Sequence, residues 1–276
     1  MERERLVDLH THTTESDGSM TPVELVRYAH IKGLEAVAIT DHDTIGGLEK
    51  AEEEGRKLGI EVITGVEISV DFSDLFLKLK SMHNGGKSEN ETVSSIPEMH
   101  ILGYFFGKNY GSILETLNDM REKRKERNAK IARALQELGF DIHIEEVNSM
   151  AGGENAGRSH FARLMVQKGY VKSTKEAFDK YLTYGKPAYF KREKLSPEEG
   201  IGEIAKAGGV ASIAHPKYLY LDEEEMDTLL GLLAFSGLKA IEAYYSEYTE
   251  EETQYFLKLA NKHGLVATGG SDFHGS

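Results

Sequence analysis

The chain has 276 residues and a formal net charge of −13, with 39% hydrophobic and 29% charged residues, the profile of a folded chain long enough to bury a large core in one domain, or in one domain with an insertion. It contains no cysteine, which excludes disulfides and thiolate chemistry and leaves imidazole and carboxylate as metal ligands, the donor set of Mn, Fe, Zn or Mg sites. The acidic balance argues against binding duplex nucleic acid broadly. No run approaches the ~18 apolar residues of a membrane span or the apolar stretch of a signal peptide, so a cytoplasmic protein with no membrane partner is expected.

Short β-branched runs alternate with amphipathic segments along the chain. Strands are predicted over Leu6–His10, Ala36–Thr40, Glu61–Val70, His100–Phe106, Val210–Ala214, Ala240–Tyr245 and Leu265–Gly269. Helix starts are marked by Thr21, Pro22 and Glu24, by Ser196, Pro197 and Glu199, and by Thr249 with Glu252, each a capping-box pattern. Glycines 33, 59, 208, 237 and 264 fall where helices should stop. Strands alternating with helices imply right-handed crossovers and a parallel sheet, and seven strands suggest an α/β fold of the closed or nearly closed (β/α) barrel kind, with an open doubly wound sheet as the alternative. Two segments break the alternation. Ser81–Glu98 is polar and rich in Gly, Ser and Asn, and reads as a mobile loop. Ser112–Tyr184 carries only helical signals: a long charged helix near Ser112–Leu138, then Ser159–Gly169 and Thr174–Leu182. The expected division is a barrel first part over 1–110, a helical insertion over 111–187 and a barrel second part over 188–276.

The predicted strand ends carry an unusual set of side chains. They are His10, His12 and Asp17; Asp41, His42 and Asp43; Glu67; His100; His215; and Asp272 with His274. Residues i and i+2 of a strand share a face, so His10 and His12 can grip one ion, and Asp272 with His274 repeats the geometry. The candidates exceed what one ion can use, which implies two or three ions bridged by carboxylates such as Glu67 and Asp272. Such clusters polarise a phosphoryl oxygen and acidify a bridging water. A lone His-x-His is a weak signal; the coincidence of ligand types at separate strand ends is the strong one. Asp41 and Asp43 read as supporting or capping groups, and His30, His83, His143 and His263 as structural or solvated. The run "REKRKERNAKIAR" mixes acids with bases and reads as a solvated helix face.

In this order the motifs resemble those of the polymerase and histidinol phosphatase (PHP) family: His10-x-His12 with Asp17, a Thr-Asp-His-Asp segment carrying His42, Glu67, His100, the "AHP" His215, and Asp272-x-His274. The resemblance implies a distorted seven-stranded barrel whose trinuclear cluster of Mn, Zn or Fe hydrolyses phosphate esters by in-line attack of a metal-bridging hydroxide. It further implies that His10, His12, Glu67 and Asp272 hold one ion, Glu67, His100 and His215 a second, and Asp17, His42 and His274 a third. "AGRSHFARLMVQKGYV" and "YGKPAYF" are similar to elements of the branch that contains nucleoside 3',5'-bisphosphate phosphatases and 5' to 3' exoribonucleases of the RNase AM type. By that likeness Arg158, His160 and Lys186 clamp a substrate phosphate, and Asp272, His215 and Arg158 act at the reacting group. The implied substrate is a small phosphorylated nucleotide or a short RNA 5' end, with no obligate protein partner. Histidinol phosphate is the rival substrate. A non-catalytic metal-binding domain and a nuclease with a basic, aromatic-lined groove are the rival functions. The Ser81–Glu98 segment is longer than in that branch, and the chain ends soon after His274, so the last ligands are expected near a frayed end.

Overall fold

The computed structural model describes residues 6–83, 96–105, 108–151 and 156–275. Seven strands, β1 (Val7–Asp8), β2 (Ala36–Ile39), β3 (Glu61–Val70), β4 (Met99–Phe105), β5 (Val210–Ile213), β6 (Ala240–Tyr245) and β7 (Val266–Gly270), form one sheet in sequential order. A backbone hydrogen bond from Leu9 N to Gly269 O (3.1 Å) and a bridge between Thr11 and Phe273 join the last strand to the first, closing the sheet nearly to a barrel. Among the described residues no helix is long and apolar enough to cross a membrane.

The expected all-parallel sheet is corrected at one strand. β4 pairs antiparallel with both β3 and β5, and every other pairing is parallel. β3 is long, and β4 runs back along it from Val70↔Met99 to Thr64↔Phe105. An antiparallel return needs no crossover, and the hydrophobic pattern that marks a strand carries no sign of its direction. The reversal starts β4 on the rim where the parallel strands end.

The helices follow their caps. α1 (Pro22–Ile31), α8 (Pro197–Lys206) and α10 (Glu250–His263) open on the capping boxes of Thr21/Glu24, Ser196/Glu199 and Thr249/Glu252. Asp222 and Glu225 make a further box, at α9 (Glu223–Phe235). The five predicted stop glycines all adopt positive φ, which costs a residue without Cβ little. α2 (Leu48–Leu58) and α3 (Ser73–His83) complete the barrel's helices. α3 takes in the first residues of the predicted loop, and 84–95 lie outside the described residues.

Between β4 and β5 the chain builds α4 (Leu114–Glu137), α5 (Ile144–Met150), α6 (Arg158–Gln167) and α7 (Thr174–Ala177), the last continued by a wider helical turn over Phe178–Leu182. α5 lies in a stretch where no helix was expected. At 1.5 Å per residue the 24 residues of α4 span about 36 Å. Its first turns pack Leu117 and Met120 into the barrel's core, and its last turns supply Ile131 and Leu135 to a separate core with Val147, Phe161, Met165 and Leu182.

Candidate metal centre

Glu67 lies at the middle of the rim, fully buried on β3. Its Oε2 faces His42 Nδ1 at 2.9 Å, His12 Nε2 at 3.2 Å and His10 Nε2 at 3.4 Å. Its Oε1 accepts from His100 Nδ1 at 2.9 Å and His215 Nε2 at 3.1 Å. Asp272 Oδ1 stands 3.1 Å from His12 Nε2 and 3.3 Å from His10 Nε2. Asp17 reaches His274 Nε2 at 3.2 Å and, at 3.9 Å, His12 and His42.

Among the described residues three overlapping sets result, each with its ligand atoms within 4.8 Å of one another: His10, His12, Glu67 and Asp272; His12, Asp17, His42 and His274; and His42, Glu67 and His100. Two of the expected groupings shift in detail. His12 joins the Asp17 set, and His42 joins Glu67 and His100, while His215 meets Glu67 at Oε1, the oxygen that also faces His100. His100 reaches the rim because β4 begins there; in a parallel strand its position would lie at the opposite end.

The donor set fits divalent ions. His10 Nε2, His12 Nε2, His42 Nδ1, Glu67 Oε2 and Asp272 Oδ1 are buried, converge within these distances and have no hydrogen-bond partner. Buried polar atoms are ordinarily satisfied, and lone pairs that face one another are satisfied by a cation. Burial disfavours charge on the imidazoles, but the surrounding carboxylates together outweigh it: Glu67 and Glu242 raise His10, and Glu67 with Asp17 and Asp43 pushes His42 up to about 9. His215 is raised too, whereas burial prevails at His100 and lowers it. Despite burial, the facing imidazoles hold Glu67 and Asp272 well below the carboxylate range.

Surrounding groups fix the ligands. Asp41 accepts from Thr13 N (2.7 Å), Thr13 Oγ1 (2.7 Å) and Ser16 Oγ (2.6 Å), ordering the loop that carries Asp17. Glu242, which sequence reasoning missed, is wholly buried on β6. Its Oε1 accepts from His10 Nδ1 at 3.0 Å and its Oε2 from His215 N at 2.7 Å. A lone glutamate inside the apolar run "KAIEAYY" was the available signal, because a buried carboxylate needs partners. Asp43, His215 and Asp272 hold φ of 52°, 29° and 54°, conformations that cost non-glycine residues about 1–3 kcal/mol each and persist where surrounding structure enforces them. Gly270 lets β7 approach, since a Cβ there would lie 2.3 Å from His10 Cβ. The stretch that carries Asp272 and His274 is tied down, not frayed: His12 N donates to Phe273 O (2.9 Å) and Ser19 N to His274 O (2.7 Å).

Asp17, His42 and His100 also line a cleft of about 750 Å³ between the barrel and helices α4 and α6. Its wall contains Arg124, Arg127, Arg158, Arg192 and Lys194, a cationic patch in an acidic chain. The buried Asp43 carboxylate accepts from Ser69 N (2.9 Å), from Arg124 Nη2 and from Arg192 Nη1 (3.0 Å), and those guanidiniums hold it far below the usual range despite burial. Burial, with Arg192 and Arg124 nearby, depresses Arg127 to about 9, and burial lowers Lys194 to about 8. The expected solvated face holds at Glu122, Glu126, Lys130 and Arg133, which are exposed, and is corrected at Arg124 and Arg127. Arg124 and Asn128 lie on the buried stripe of α4 with Leu117, Met120, Ile131 and Leu135, a helical spacing visible in the sequence.

Of the three predicted phosphate-binding residues, two line this cleft. Arg158 Nη2 donates to Glu98 Oε1 at 2.8 Å, and its guanidinium lies 5.6 Å from the Tyr189 ring centroid. His160 Nδ1 accepts Gly157 N–H at 3.0 Å, which puts any proton of the neutral ring on Nε2; burial, aided by Arg163, keeps its affinity for a second proton low. Lys186 is exposed in the turn begun by Thr183 and does not line the cleft; Lys194 does.

Residues 8–271 match the model of the PHP domain. A 5'-3' exoribonuclease of Haemophilus influenzae is 33% identical over 268 residues, 97% of this chain and 89% of that protein. A 3',5'-nucleoside bisphosphate phosphatase of Chromobacterium violaceum is 32% identical over 272 residues, 97% of this chain and 87% of that protein. A solved structure from C. violaceum, described as an amidohydrolase with bound sulfate and no metal, is similar with a TM-score of 0.78 at 31% identity, over 97% of this chain and 87% of that one.

Proposed function

The chain belongs to the PHP family, and from that premise we propose that it is a metal-dependent phosphoesterase that removes phosphate from nucleoside 3',5'-bisphosphates. The observation that carries this reading is the junction of two features: a rim of buried, unpartnered nitrogen and oxygen atoms, opening directly into a cleft walled by arginines. In this reading His10, His12, Glu67 and Asp272 hold one divalent ion, Asp17, His42 and His274 with His12 a second, and Glu67 with His100, His42 and His215 a third; Mn, Zn and Fe all suit these donors. Bound there, the ions supply Lewis acidity toward a phosphoryl oxygen and a water acidified toward neutral pH.

The protein's own groups supply position and charge. Arg158 offers a fork suited to bidentate contact with the phosphate that is kept. Arg124 and Arg192, held by Asp43, face the same anion, and Lys194 takes the part expected of Lys186. His160 offers its Nε2–H from the floor. Together they fix the bisphosphate so that its other phosphate meets the ions. A short RNA with a 5'-phosphate presents the same pair of groups, and the exoribonuclease relative favours this as a second substrate. Histidinol phosphate carries an ammonium, which the guanidinium wall repels.

The test is phosphate release by protein loaded with Mn, Zn or Fe from adenosine 3',5'-bisphosphate (pAp), histidinol phosphate and 5'-phosphorylated oligoribonucleotides. Turnover of pAp or of the oligonucleotides is expected. Turnover of histidinol phosphate alone would reject the reading.

A further inference from the structure

The arginine cleft borders one flank of the metal centre, at Asp17, His42 and His100. The other flank, His215 and Asp272, meets tyrosines from the turn after β5 and the end of β6. The Tyr218 and Tyr245 rings lie 6.0 and 6.1 Å from the His215 ring and 5.9 Å from each other, centroid to centroid. Tyr248 stands 5.1 Å beyond Tyr245, and Tyr245 OH donates to Asp272 Oδ2 at 3.0 Å, so the patch is bonded to the centre itself. Tyr220 and Tyr244 turn outward, 74% and 51% exposed. Tyr220 does so at a φ of 51°, a conformation rare and costly for a bulky side chain. A strained, exposed aromatic adds nothing to the core.

We propose that this patch is a stacking platform for the base that follows the scissile phosphate when the substrate is an oligoribonucleotide. The inference rests on the phosphoesterase reading above and extends it. With the 5'-phosphate in the arginine cleft and the next phosphate at the metal centre, the chain beyond leaves across the opposite flank, over Tyr218 and Tyr220. Aromatic faces stack any base. The charges around the platform limit its reach. Tyr218 OH donates to Glu247, and Lys217, 5.8 Å from the Tyr248 ring, is held by Glu252 at 2.8 Å. With acids beside it and its lysine engaged, the patch grips one base and does not follow further phosphates.

The metal-loaded protein is assayed on pAp and on 5'-phosphorylated adenosine di- and trinucleotides, with Tyr218→Ala, Tyr220→Ala and Tyr218→Phe. The alanine variants are expected to raise KM for the dinucleotide about tenfold, the scale of one lost base stack, with KM for pAp unchanged. Tyr218→Phe keeps the ring and should behave as the parent, and the third nucleotide should add no affinity. Equal effects on pAp and dinucleotide, or none on either, would overturn the platform. A parent protein that turns over pAp but no oligonucleotide would overturn it while leaving the bisphosphate reading intact. Turnover of neither removes both.

Discussion

Replacing Glu242 by Gln tests how the metal ligands are held. The carboxylate now accepts on both oxygens, from His10 Nδ1–H and from the His215 backbone N–H. An amide has one acceptor oxygen. The backbone N–H cannot reverse its role, so the glutamine oxygen stays with His215 and its NH2 turns to His10. That amine needs an acceptor, so His10 must carry its proton on Nε2, the atom that faces Glu67 and Asp272. The substitution thereby blocks a ligand without touching the ion. Losing such a partner typically weakens metal binding about 10–100-fold, or about 1.4–2.7 kcal/mol. Competition of the folded protein against a chromophoric chelator reads the affinity, and circular dichroism checks the fold. Affinity within threefold of the parent in a folded variant would refute the reasoning.

Asp43→Asn leaves the ligand imidazoles in place but removes the charge that Arg124 and Arg192 share; KM for pAp should rise about tenfold with metal content unchanged, as steady-state kinetics beside elemental analysis will show. Lys194 is lowered to about 8 by burial. Its ammonium is therefore present below that pH and lost above it, so KM should climb with pH beyond about 8, and Lys194→Arg should abolish the climb. Phe161→Ala empties a fully buried position in the second core, the one shared by α4 to α7; a loss of about 3–5 kcal/mol in denaturant unfolding is expected, and a loss below 1 kcal/mol would show that this core is not cooperative.

Much of the barrel was legible because its signals are local. β3 and β6 begin and end where their predicted strands do, and α1, α8 and α10 start at side chains that satisfy their own first amides. The nine predicted ligands come together because strand ends project onto one rim whatever the details between them. Direction and distance were not legible. Nothing in "EMHILGYFF" records that β4 runs backward. Glu98, Arg192 and Lys194 share the cleft with Arg158 only through tertiary packing, whereas Lys186 stands within the recognised "YGKPAYF" element. Arg124 was misread for a different reason: mixed charge masked an apolar helical stripe to which it belongs.

The reversed β4 separates inheritance of chemistry from inheritance of selectivity. β4 and β5 are antiparallel neighbours, Tyr104 beside Val210, and strands so placed can be joined by a tight turn. Everything grown between them is an excursion that the sheet's hydrogen bonding does not require. All nine proposed ligands lie outside that excursion, while Arg124, Arg127, Arg158, Arg192 and Lys194 lie inside it. Exchange of this one stretch would therefore replace the cationic wall of the cleft and leave both the rim and the barrel's strand pairing as they are.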